Sequence, residues 1–155
     1  MQRTGAVVTA ADRAATAELI ELDEAQCLRL LAGSMIGRVV FTDAALPAAQ
    51  PVTYLLDGEE VVFRTAGGSK LAAATRGAVV AFQVDEIDPG TRTGWTVLGV
   101  GEAYEVVVPE RLAELADRLP TPWAPDRTAH TIAVPLQRLT GRRLVRVPRA
   151  GEGRG

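Results

Sequence analysis

The residues best suited to chemistry stand in one short run, Phe63-Arg64-Thr65-Ala66-Gly67-Gly68-Ser69-Lys70-Leu71. An apolar stretch ends in Arg-Thr, passes through a glycine pair and enters an alanine-rich segment that predicts a helix from Ser69 to Arg76. A helix start leaves backbone N–H groups unpaired and carries the positive end of the helix dipole. Ser69 as cap, with Lys70 beside it, therefore offers an anion both amide donors and a mobile charge. Gly67 and Gly68 let the backbone turn tightly and approach a ligand. Arg64 and Thr65 end the preceding strand within reach of the same point. The chemistry predicted is the holding of a phosphate. Strand, glycine turn and capped helix also occur in proteins with no ligand there, so the rest of the chain has to decide.

Other chemistries find little material. The chain has one cysteine and one histidine, so an internal disulfide is impossible and a His/Cys zinc site is not expected. Cys27 falls in a helical pattern and reads as a small buried filler. His130 would have to serve as the base of any Ser-His-Asp arrangement, and no serine stands in a nucleophile elbow.

The elements that must position the phosphate run are legible from period and punctuation. Asp23 reads as a helix cap with Gln26 reaching back and Leu22 stapling onto Cys27, and the helix ends by Gly33. Strands are predicted at Ile36–Thr42 and, after a Pro and Ala loop, at Pro51–Leu56; Asp57-Gly58 predicts a hairpin into Glu60–Thr65. Ala78–Val84 and Trp95–Val108 read as β, with bulges or a bend at Gly99 and Gly101. Pro109 opens a third helix with Leu112, Leu115 and Leu119 on one face. The chain closes with His130–Leu139, a turn at Thr140-Gly141, and Arg142–Val147. Six or seven mostly antiparallel strands joined by short turns cannot form βαβ repeats, and a small barrel is expected.

Length sets one domain: 155 residues divide into a loose arm at 1–18, a folded domain at 19–148 and a fraying tail at 149–155. A net charge of −2 gives no long-range pull toward nucleic acid or an anionic membrane. No apolar run is long enough for a membrane span and the N-terminus lacks a signal-type core, so a cytoplasmic protein is expected.

Six pieces in order carry a resemblance: Gly37-Arg38-Val39; Pro51-Val52-Thr53-Tyr54; Phe63-Arg64-Thr65 with Gly68-Ser69-Lys70; Val80-Ala81-Phe82-Gln83-Val84-Asp85; Thr93-Gly94-Trp95-Thr96-Val97; and Leu139-Thr140-Gly141-Arg142-Arg143. From about Leu22 to Val147 the chain resembles the pyridoxamine 5'-phosphate oxidase-like FMN-binding proteins, in particular the small bacterial branch of the nitroimidazole-resistance proteins. The resemblance implies a mainly β split β-barrel that is a homodimer. It implies a flavin phosphate near Arg64, Thr65, Ser69 and Lys70, with the ring against Pro51, Val52 and Thr53 at the subunit interface. Trp95, Thr96 and Trp123 would border the ring or phosphate. Gln83 stands where family members more often have a Glu.

The function implied is an FMN-dependent oxidoreductase acting on an unidentified small molecule, with a nicotinamide as a possible electron donor. A flavin carries the redox chemistry itself, so a missing acid–base pair does not count against an enzyme. A deazaflavin in place of FMN, and a non-catalytic dimer that stores or senses flavin, remain the alternatives. A deazaflavin's acidic tail would want further basic residues along an open groove, and haem would have only His130 as an imidazole ligand.

Overall fold

A computed structural model of the chain describes residues 15–66, 69–120 and 129–148. Among these residues there are ten strands and three short helices. In chain order they are β1 (Ala15–Leu22), α1 (Glu24–Ala32), β2 (Ile36–Asp43), β3 (Leu46–Thr53), β4 (Leu55–Asp57), β5 (Glu60–Thr65), α2 (Lys70–Thr75), β6 (Val79–Asp88), β7 (Thr93–Glu102), β8 (Tyr104–Glu105), α3 (Pro109–Arg118), β9 (His130–Pro135) and β10 (Arg138–Pro148).

Local chemistry explains most boundaries. The Asp23 carboxylate accepts from Gln26 N at 2.8 Å and the Gln26 side-chain oxygen accepts from Asp23 N at 2.9 Å, a reciprocal capping box that starts α1. Leu22 packs against the cluster containing Cys27, as the staple requires. Pro109 opens α3, whose Leu115 is fully buried with Leu112 and Leu119 beside it. Gly58, at φ +62, turns β4 into β5.

Several expected boundaries move. The loop foreseen before Pro51 is a tight turn at Ala44 and Ala45, whose φ values of 49° and 65° make a primed hairpin turn without the usual glycine. The second strand therefore begins at Leu46, and it stops at Thr53. β1 takes in residues 15–18 of the expected arm, pairing Ala15 with Pro148 through Leu22 with Gly141. No turn occurs at Thr140-Gly141; the chain turns at Leu136-Gln137 and β10 runs straight through. β6 and β7 keep one register from Val79↔Glu102 to Asp88↔Thr93, so Gly99 and Gly101 are not bulges. They mark close approach: a Cβ on Gly99 would stand 2.3 Å from Leu136 Cδ2, and one on Gly101 1.7 Å from Pro135 O.

The strands form two antiparallel sheets, six-stranded in the order β1-β10-β7-β6-β2-β3 and four-stranded in the order β4-β5-β9-β8. Neither closes into a barrel, which corrects the expected split β-barrel of six or seven strands. Among the described residues the edge strands β1 and β3 of one sheet do not pair with β4 or β8 of the other, and the chain crosses between the sheets at Tyr54. There the ladder with β2 ends, Tyr54 N donates to Met35 O, and the chain passes on as β4 to pair only with β5. The sheets pack face to face instead, over Val39, Phe63, Phe82, Val97, Ile132 and Val134, with the Tyr54 ring edge-on to Phe82 at 4.8 Å.

On its other face the small sheet carries α3 over Val62, Val106 and Ala133. Arginines fasten that helix: Arg111 meets Glu60 at 2.5 Å and Asp57 at 3.5 Å, and Arg118 meets Asp57 at 3.1 Å. The Tyr104 hydroxyl donates to Glu60 at 2.8 Å within the same network.

Candidate functional site

The phosphate run becomes a corner where β5 meets α2. Ser69 N donates to Ala66 O at 3.2 Å. Gly67 and Gly68 lie outside the described residues. Ser69 caps α2 as expected, its Oγ accepting from Ala72 N at 3.1 Å. That leaves the hydroxyl proton free to donate elsewhere. Lys70 extends into solvent, its Nζ 3.7 Å from Asp43 Oδ2 at the end of β2.

Strand alternation separates Arg64 from Thr65. Residues 61, 63 and 65 face the main core, where Val61 and Phe63 are fully buried, whereas Val62 and Arg64 face α3. Arg64 Nη2 donates to Ala116 O of that helix at 3.4 Å. Of the four residues placed around a phosphate, Arg64 is turned toward α3, while Thr65 ends β5 on the core face and Ser69 and Lys70 open α2.

Thr65 supplies the strongest local signal. Its side chain is 5% exposed, and Oγ1 finds no hydrogen-bond partner among the described residues. A buried hydroxyl without a partner costs about 1–3 kcal/mol, so it marks a place where a further acceptor is wanted. An orphaned hydroxyl, a capping hydroxyl with a free proton and an exposed ammonium suit an anion.

Behind the corner, the six residues of α2 pack against β2 of the large sheet and β9 of the small one. Arg76 at its far end stands 3.3 Å from His130 Nδ1 and 3.8 Å from Glu105 Oε1. His130 and Glu105 are hydrogen-bonded to each other, and His130 pairs directly with Thr65. The lone histidine thus braces the floor of the corner.

The residues expected around a ring divide in two. Val52 is buried in the main core and Trp95 packs against it from the same side. Pro51, Thr53 and Thr96 point to the outer face of the six-stranded sheet, as their alternation with Val52 and Val97 requires. Trp123 lies outside the described residues. Thr96 lines an open groove of about 430 Å³ with Gln83, Leu98, Thr140 and Arg142. A second groove, about 240 Å³, holds Arg38, Pro51, Gln83 and Asp85. Gln83 belongs to both. Neither Arg142 nor Arg143 forms an ion pair among the described residues.

Set against known proteins, residues 23–149 match the pyridoxamine 5'-phosphate oxidase family. The chain belongs to that family. An uncharacterized protein of Mycobacterium tuberculosis is 42% identical over 133 residues, covering 83% of this chain and 87% of its own. A solved FAD binding protein of Mycobacterium smegmatis is 32% identical, with a TM-score of 0.67 over 79% of this chain and 95% of that one. A Bacteroides thetaiotaomicron protein assigned to 5-nitroimidazole antibiotic resistance shares the fold at 11% identity, with a TM-score of 0.67 over 83% and 89% of the two chains. The matched residues span all six ordered pieces of sequence.

Proposed function

We propose that the chain is a flavin-dependent oxidoreductase that seats the flavin's ribityl phosphate at Thr65, Ser69 and Lys70. The observation that carries this reading is the buried, unpartnered Thr65 hydroxyl at the end of β5, four residues before the Ser69 cap and five before the exposed Lys70. The FAD binding relative at 32% identity supports a flavin nucleotide as the ligand. FMN and FAD carry the same ribityl phosphate, so the corner suits either; FMN is the form expected from the sequence.

In this reading Thr65 and Ser69 donate hydroxyl protons to phosphate oxygens, and Lys70 offsets part of the phosphate's charge. Asp43 beside Lys70 keeps the ammonium poised at the mouth of the corner when no anion is there. β3 is an edge strand of the large sheet and touches β5; in this reading Pro51–Thr53 offers that edge to the ring. The flavin, when bound, supplies hydride and electron transfer. The chain's own residues bind, orient and shield it.

The reading includes a homodimer. The outer face of the large sheet exposes Leu19, Ile36, Val79, Ile87 and Leu98 around the two grooves, an apolar surface that a second copy would cover.

Purified protein reconstituted with FMN or FAD tests the reading. Retained absorbance near about 450 nm, bleached by a nicotinamide donor, supports an oxidoreductase. Retention without bleaching indicates a carrier, and no retention of either flavin overturns the proposal.

A further inference from the structure

Across the outer face of the large sheet, neighbouring strands place five residues in one row: Thr140 on β10, Leu98 on β7, Gln83 on β6, Arg38 on β2, and then Pro51 on β3. Arg38 is exposed and makes no ion pair or side-chain hydrogen bond among the described residues. It lines the 240 Å³ groove, a volume just below the usual range for small-molecule sites. On the core side of the same strand, a Cβ on Gly37 would stand 2.3 Å from the buried Phe82 ring, so glycine lets β2 pack there.

We propose that Arg38 binds the carboxylate of a small-molecule substrate in this groove, with the Gln83 amide completing the contact. The inference rests on the flavin reading, because Pro51 is shared between the groove and the strand offered to the ring. A planar guanidinium with no protein partner matches a carboxylate edge to edge, through two parallel hydrogen bonds. Gln83 can donate from its amide nitrogen to the same group or accept from a neighbouring hydroxyl.

Asp85 sets the charge of the ligand. It lies on β6 two residues from Gln83, so Arg38 and Asp85 are diagonal neighbours, about 7–8 Å apart at Cα. No ion pair joins them. A ligand with a second anionic group pointing along β6 would meet the Asp85 carboxylate. The groove therefore favours one carboxylate on a small body and disfavours a dinucleotide's paired phosphates.

Nicotinate and nicotinamide test this, being flat rings of one size that differ in charge. The flavin-loaded protein is titrated with each by calorimetry, and the Arg38 side-chain Nε resonance is followed by NMR in loaded and flavin-free protein. The expected result is nicotinate preferred by about tenfold, an Arg38 shift with nicotinate only, loss of the preference in Arg38→Ala and partial retention in Arg38→Lys, as a bidentate charged contact requires. Asp85→Asn should tighten nicotinate. Equal affinity for the two ligands, or a preference surviving in Arg38→Ala, would overturn the proposal. So would loss of flavin from Arg38→Ala, which would make Arg38 part of the cofactor site. A chain that takes no flavin yet keeps the nicotinate preference would remove the flavin reading and leave the carboxylate site standing.

Discussion

Arg64 and Thr65 are neighbours in sequence, yet they serve opposite faces of β5: the guanidinium donates to Ala116 O of α3, while the threonine hydroxyl lies buried beside α2 without a partner among the described residues. The alternation has a direct consequence for substitution. Arg64→Ala should leave flavin affinity within about twofold and lower stability by roughly 0.5–1 kcal/mol, the value of one exposed hydrogen bond. Flavin fluorescence titration and thermal melting of one variant separate the two effects. A large loss of flavin would mean that Arg64 swings to the phosphate.

Lys70→Ala should behave in the opposite way. The side chain is 84% exposed and its ion pair to Asp43, at 3.7 Å, is long, so the fold should keep its melting temperature. Flavin affinity should fall by about tenfold or more, with a weaker salt dependence than in the parent.

Ser69→Ala removes a cap whose Oγ accepts from Ala72 N. The expected cost is about 1 kcal/mol of stability, together with a modest loss of flavin affinity. Ser69→Asp should restore the cap and repel the phosphate, so a melting curve near the parent's with poor flavin retention is the informative outcome.

Tyr54 gives a pH signature independent of any ligand. Burial pushes its hydroxyl up to about 12 from an ordinary value of 10.0, and the hydroxyl donates to Leu31 O at 2.5 Å. The folded chain holds this proton after the unfolded chain has released it, so stability falls as pH rises from 10 toward 12, by roughly 2–3 kcal/mol. Tyr104, also raised by burial, acts in the same direction. Tyr54→Phe should flatten most of the decline seen in melting temperature above pH 10; an unchanged slope would assign it to other groups.

Local rules in the sequence locate the Asp23 capping box, the Asp57-Gly58 hairpin, the Ser69 cap and the apolar face of α3, because each depends on residues a few positions apart. Pairing across the sheet is less legible. The Ala44-Ala45 turn places alanine where turn rules expect glycine or asparagine, so the start of the strand beyond it reads as loop. β1 has no steady period, since Leu19 and Ile20 point to opposite faces and both remain exposed; only its register with β10 defines it. Gly99 and Gly101 read as bulges because sequence shows that a Cβ is absent and not what would strike it. The open pair of sheets, in place of a barrel, is likewise set by which edge strands pair, and no period announces that or the crossing at Tyr54.

At the candidate site, residue types point to the corner but do not say which way each side chain faces. Arg38 shows the same limit. It stands in the sequence as part of a strand motif, and only the row formed with Pro51 and Gln83 places it in a groove.

The measurement that tests the central claim most directly is a crystal structure of the flavin-loaded protein. A phosphate oxygen is expected within hydrogen-bond distance, about 3 Å, of both Thr65 Oγ1 and Lys70 Nζ, with Ser69 Oγ alongside. A flavin bound with its phosphate elsewhere, and the Thr65 hydroxyl still without a partner, would contradict the claim.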